Sequence, residues 1–304
     1  MKYFSYIKQL AQAIALLLKD TMSQWLKHNM MLHAAGLAFY TIFSLAPLLV
    51  IVVAIAGAFF GEQAASGQLS LYMAELLGEE LAESVEKIVA AVTQGQSGLL
   101  PTITSTFILL FAATTVLTQL KESLNTIWNV DPRLKQPLKM FFVNRFLGLV
   151  LILIFAITLA ATIIVSAILS SVGSLLDDVV PGGIGWYSVL NTLLFLLVTT
   201  GLFSVIYKML PDIRVSWSDV LVGASVTALL FFIGQSMVTY YLGNAATASM
   251  YGAAGSFVIF LIWVYYNVMV IFFGAEFTQV YTNRYGSGIK MGRYVQKKAA
   301  EAAK

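Results

Sequence analysis

The stretch AAGSFVIFLIWVYYNVMVIFFGAEFTQV, residues 253–280, carries a single formal charge, Glu276. As a helix rising about 1.5 Å per residue it is about 42 Å long, more than the ~30 Å of a bilayer's hydrocarbon core. Its apolar side chains run all the way round, so it has no face suited to water. Reading outward, five further apolar runs fall within the length range of membrane-spanning helices: 35–60, 102–118, 146–170, 189–207 and 218–242. A chain that is 59% hydrophobic and 11% charged is no ordinary soluble domain, in which charged residues make up roughly a quarter. The expected fold is an all-α membrane protein of six transmembrane helices.

The cations orient those spans. Lys2, Lys8, Lys19 and Lys27 precede the first. Lys121, Arg133, Lys135, Lys139 and Arg145 separate the second and third, and Lys208 and Arg214 the fourth and fifth. Arg284, Lys290, Arg293, Lys297, Lys298 and Lys304 follow the last, while the alternate connections hold Lys87 alone. Basic segments stay on the cytoplasmic side, which puts both termini there, as six spans require. Spread this way, the net charge of +3 marks topology and anionic lipid contact, not nucleic-acid binding. The absence of cysteine excludes disulfides, thiolate metal sites and cysteine nucleophiles.

Three segments flank or interrupt the spans of the bundle, 34–280. Residues 1–33 read as a cytoplasmic amphipathic helix lying at the membrane interface: Phe4, Ile7, Ala11, Ile14, Leu18, Met22 and Trp25 recur at three- and four-residue steps. Residues 61–100 read as an outer cap of two amphipathic helices meeting near Gly78 and carrying Glu62, Glu75, Glu79, Glu80, Glu83 and Glu86. Residues 281–304 form a basic cytoplasmic tail. Between spans four and five, Pro211 ends one helix, and Ser216 with Asp219 has the spacing of a capping box for the next.

Polar residues inside apolar runs are the candidates for function. In span one His33, Tyr40, Ser44 and Pro47 fall near one helical face, and Pro47 predicts a kink. Thr104, Thr115 and Thr118 share a face of span two, and Asn267 sits near mid-depth in span six. Together they define a candidate polar path. The alternative is that these groups bond within and between helices as packing glue. Glu276 is costly to bury alone, and Arg145, Lys208 and Arg214, at the same end of the bundle, are its expected partners in a structural ion pair. A proton-coupling role for Glu276 is the other reading. Gly57 and Gly61 permit a close helix contact, either inside the chain or between two copies.

Three blocks carry a family resemblance. His33-Ala34-Ala35-Gly36-Leu37-Ala38-Phe39-Tyr40 leads into Ser44-Leu45-Ala46-Pro47. Leu124-Asn125-Thr126-Ile127-Trp128-Asn129-Val130 follows span two, and Tyr251-Gly252-Ala253-Ala254-Gly255-Ser256, Trp263-Val264-Tyr265-Tyr266 and Phe273-Gly274-Ala275-Glu276 mark the last span. Over about residues 30–285 the chain resembles the YihY/BrkB family of bacterial inner-membrane proteins. The resemblance implies a multi-pass inner-membrane protein with six spans and both termini inside; it implies no reaction. The family has also carried a ribonuclease label. A metal-dependent nuclease clusters histidines and carboxylates around its ions, whereas His28 and His33 are the only histidines here and no acidic motif accompanies them. No P-loop, GxSxG or HExxH occurs either.

The expected function is therefore that of a transporter, or a lipid or amphiphile flippase, of the bacterial envelope. A non-transporting scaffold or partner subunit in envelope biogenesis is the alternative. No enzymatic activity, no cofactor, no metal and no nucleic acid are expected. Membrane lipids and a lipid or small amphiphilic substrate are the expected partners, with self-association open.

Overall fold

The computed structural model describes residues 2–41, 44, 99–130, 146–151, 153, 154, 157, 158, 183–244, 253–286, 288, 290 and 291. The acidic cap expected at 61–100 lies outside the described residues apart from its last two positions. So do Pro47, Gly57, Gly61, Arg145, most of the third span and the tail beyond Met291.

The described chain is helical: α1 (Lys2–Lys27), α2 (30–41), α3 (Leu99–Ile127), α4 (146–151), α5 (Gly183–Met209), α6 (Trp217–Asn244) and α7 (Ala253–Arg284). Proline placement agrees with these bounds. Pro101 sits in the first turn of α3, where its missing N–H costs no helical bond, and Pro211 follows the end of α5. Two short strands, β1 (Ile213–Arg214) and β2 (Lys290–Met291), pair antiparallel with Ile213 opposite Met291. This small ladder is absent from the sequence reading. It fastens the start of the basic tail to the connection between α5 and α6.

Among the described residues three helices are long and apolar enough to cross a membrane, at Val189–Met209, Trp217–Gln235 and Leu261–Arg284. They are buried to different degrees. Leu190, Leu193 and Leu197 form an exposed stripe along α5, a helix whose main contact among the described residues is α6. By contrast α7 packs against α1, α3 and α6 and is buried nearly all round at its C-terminal half. The absence of a wet face in 253–280 thus has two causes, lipid in principle and protein neighbours in fact.

Small residues set the spacing of α6 and α7. A Cβ added to Gly223 would lie 1.7 Å from Thr278 Oγ1, and one on Gly274 would lie 1.7 Å from Thr227 Oγ1. One turn on each helix, glycine and threonine exchange places. Farther along, Gly234 faces the ring of Tyr266. As the positions on α6 rise those on α7 fall, so the two helices run antiparallel in close contact. Thr227 and Thr278 return their hydroxyl protons to the carbonyls of Gly223 and Gly274, at 2.8 and 2.7 Å. Across this seam reaches Tyr207 of α5, fully buried. It donates to the carbonyl of Ile271 at 2.6 Å, with Thr227 Oγ1 2.9 Å away. Between α5 and α6, Phe195 stacks on Phe231 and Phe203 meets the same ring edge-on.

Gly274→Ala forces a methyl group into the Thr227 hydroxyl and is expected to cost about 2 kcal/mol, a normal overpacking penalty. Gly201→Ala, with nothing within 4 Å of the new carbon, is the control and is expected to be neutral or to stabilise α5. Thermal unfolding of the purified protein in detergent checks both; equal melting temperatures for the two variants would contradict the close α6–α7 seam.

Candidate functional site

The polar groups of the described chain converge where α1 ends, α2 begins, α3, α5 and α7 end, and α6 begins. Four sets of contacts join these elements. His28, in the turn after α1, places Nδ1 2.6 Å from Glu276 Oε1 of α7. His33 of α2 lies 3.0 Å from Ser123 Oγ of α3. Lys121 of α3 pairs with Asp212 at 2.8 Å, and Asn125 clamps the same aspartate by both its carboxylate (3.0 Å) and its backbone N–H (2.9 Å). Arg284, at the end of α7, pairs with Asp20 of α1 at 2.8 Å on the surface.

Local backbone chemistry makes these contacts available. Asn29 and Asn129 both adopt φ of 53°, the left-handed conformation that asparagine tolerates best after glycine. Asn129 terminates α3 in a Schellman arrangement, with Val130 N–H donating to the carbonyl of Asn125. Asn29 ends α1 and its carbonyl then accepts from Leu32, which opens α2. The resulting corner holds His28 against α7. Asp20 and His28 are eight residues apart, as are Glu276 and Arg284, so the second half of α1 runs antiparallel along the last turns of α7. Leu17, Thr21 and Trp25, at four-residue steps, are the buried face of that contact, and Leu17 packs with Phe277 and Val280.

Glu276 is completely buried, and the structure gives it a different partner from the cations named in the sequence reading. Lys208 donates to the carbonyl of Val215 and lies over the ring of Trp217. Arg214 is exposed on β1, and Arg145 lies outside the described residues. His28 fills the role because the α1–α7 register brings it there from 248 positions away. The signal for it was weak: a histidine just past an amphipathic helix, read only for its lack of a metal partner. The Asn125–Asp212 clamp was missed likewise, although Asn125 stands inside one of the family blocks. Glu276 Oε2 has no hydrogen-bond partner among the described residues, nor do the indole N–H groups of Trp25 and Trp128.

The described residues of the candidate path make local contacts. Ser44 is buried and donates to Thr41 O, Thr115 to Phe111 O, Thr118 to Thr114 O, and Asn267 to Trp263 O at 2.7 Å. Each of these bonds runs to a carbonyl three or four residues earlier in the chain. Tyr40 is exposed beside Phe39. Thr104 lies on α3 with its side chain outside the described set, as Pro47 is entirely. His33, by contrast, reaches another helix through its contact with Ser123. Burial holds its imidazole below the ordinary value, the neighbouring His28 adds to this, and Glu122 opposes it.

A bundle of long apolar helices tied by a buried polar layer at one end defines an integral membrane protein. The chain belongs to the BrkB family: the family described as virulence factor BrkB matches residues 21–299. Similar proteins include a UPF0761 membrane protein of Alteromonas mediterranea, 25% identical over 283 residues that cover 90% of this chain and 91% of that one. Another, from Actinobacillus pleuropneumoniae, is 24% identical over 268 residues, 86% and 92% of the two chains. A third, from Rhodospirillum centenum, is 30% identical over 246 residues; there the match covers 81% of this chain and 52% of a longer relative. No solved structure matches.

Two predictions follow from this geometry. His28→Ala leaves Glu276 buried without a partner and is expected to destabilise the fold by about 3 kcal/mol, whereas the paired replacement His28→Leu with Glu276→Leu recovers most of that loss. A double-mutant cycle read by thermal unfolding checks this, and additive losses would refute a direct pair. His33 titrates below its unfolded value of ~6.5, so its contribution is full above that pH and is lost as pH falls toward the folded value. The melting temperature of the native chain should fall more between about pH 7.5 and pH 5 than that of His33→Gln.

Proposed function

We propose that this protein resides in the bacterial inner membrane with six spans and both termini in the cytoplasm, and that it moves a lipid or another amphiphile between leaflets. The observation that carries this reading is the way Ser44, Thr118 and Asn267 satisfy themselves within their own helices. Polar groups turned inward on their own backbone do not offer a hydrated interior to a water-soluble solute. An amphiphile needs less: its tail stays in hydrocarbon and only its head must pass along the helices. The exposed stripe of α5 and the amphipathic α1 supply apolar surface for the tail. The His28–Glu276 pair, an ionisable site in a membrane helix, is where a headgroup or proton would act. Catalysis forms no part of the proposal, because no nucleophile and base can be named.

The same intrahelical bonding favours one other reading, a dry scaffold or partner subunit in envelope biogenesis. Reconstitution into liposomes separates the two. Transfer of fluorescent phospholipid between leaflets above the protein-free rate is expected, with Asn267→Val changing it less than about twofold and His28→Ala, assayed in folded protein, abolishing most of it. No transfer of phospholipids, detergent-like amphiphiles or common solutes would favour the scaffold.

A further inference from the structure

The apolar arc of α1 is wider than the surface that α7 covers. Leu17, Thr21 and Trp25 are buried against the bundle, but Leu18, Met22 and Leu26, each one residue and hence about 100° farther round, stay 42, 47 and 55% exposed. Leaving three such side chains in water forgoes the favourable burial of their apolar surface. At its C-terminal end the stripe runs into a crevice at the corner of α1 and α2. That crevice has a volume of about 160 Å³ and is lined by Trp25, Leu26, Asn29, Met30, Met31 and Leu32. Its size compares with a cavity of ~150 Å³ that admits benzene, which is room for a piece of an acyl chain and too little for a headgroup. Met31 and Leu32 are exposed at its rim.

The charges beside the stripe identify what covers it. Lys19 stands three and seven positions before Met22 and Leu26, so it edges the stripe on the side away from α7, and Lys8 falls on the same edge. Lys27 follows at the corner. All three are exposed, and among the described residues no carboxylate lies within salt-bridge distance of them. The single acid of α1, Asp20, is engaged by Arg284 on the opposite flank. An apolar stripe edged by exposed lysines fits the boundary of an anionic bilayer, to which each lysine near the surface adds attraction.

We propose that the corner of α1 and α2 is a binding site for an anionic phospholipid of the surrounding bilayer, its acyl chain on Leu18, Met22 and Leu26 and in the crevice, its phosphate held by Lys19 and Lys27. The site is independent of whether the protein moves lipid, since occupancy is measured at equilibrium without transport. Native mass spectrometry of the full chain in detergent, titrated separately with dioleoyl phosphatidylglycerol and dioleoyl phosphatidylcholine, tests it. The phosphatidylglycerol is expected to bind about tenfold more tightly, and Lys19→Gln with Lys27→Gln is expected to remove that preference while leaving phosphatidylcholine unchanged. Met22→Ser with Leu26→Ser should weaken both lipids alike without altering the melting temperature in detergent. Equal affinity of the two lipids for the native chain, or a preference untouched by the lysine variants, would overturn the proposal. A dimer in the same spectra that Met22→Ser with Leu26→Ser converts to monomer would assign the stripe to a second copy of the chain instead.

Discussion

A carboxylate cannot be buried among apolar helices without a partner, and Glu276 imposes that condition on this chain. Breaking a buried pair costs several kcal/mol because the remaining charge has no water to return to. The solution is to bring the N-terminal helix back onto the last one, so that His28 meets Glu276 while Asp20 meets Arg284 two turns away. The first and last described helices are thereby locked together. The corner at Asn29 that makes this possible also sets the direction of α2, and α2 in turn carries His33 to Ser123 on α3. One electrostatic requirement thus propagates through the elements at the basic end.

Elsewhere the bundle relies on close packing instead of charge. The reciprocal Gly–Thr contacts of α6 and α7 bring two backbones together, and Tyr207 ties a third helix to the seam through the Ile271 carbonyl. In hydrocarbon there is little hydrophobic drive for one apolar helix to prefer another over lipid, so contacts of this kind decide which helices are neighbours. The two regimes divide by depth: small residues and self-satisfied hydroxyls within the spans, ion pairs and an Asn–Asp clamp at their ends.

The apolar runs were legible in the sequence because hydropathy and length act locally, and α5, α6 and α7 lie where 189–207, 218–242 and 253–280 place them. The amphipathic character of α1 was legible for the same reason. Which residue faces Glu276 was not, since depth alone nominated Lys208 and Arg214, while the actual contact depends on the register between helices more than two hundred residues apart. The hydroxyls of Thr115 and Thr118 illustrate a different limit. Their shared face was visible, but whether a threonine lines a path or bonds to its own helix is decided by its rotamer, which spacing does not encode. The β1–β2 ladder, two residues long on each side, is too short to leave any periodic signal.

The docking of α1 along α7 is the claim on which the rest turns, and site-directed cross-linking reaches it most directly because the chain contains no cysteine. With cysteines introduced at Asp20 and Arg284, a short bismaleimide added to intact membranes should join the two helices within one chain, and moving the first cysteine from position 20 to Met22, about 160° round the helix, should sharply reduce the link. Equal cross-linking from positions 20 and 22, or none from position 20 when both thiols react with a monofunctional maleimide, would contradict an α1 held antiparallel against the end of α7.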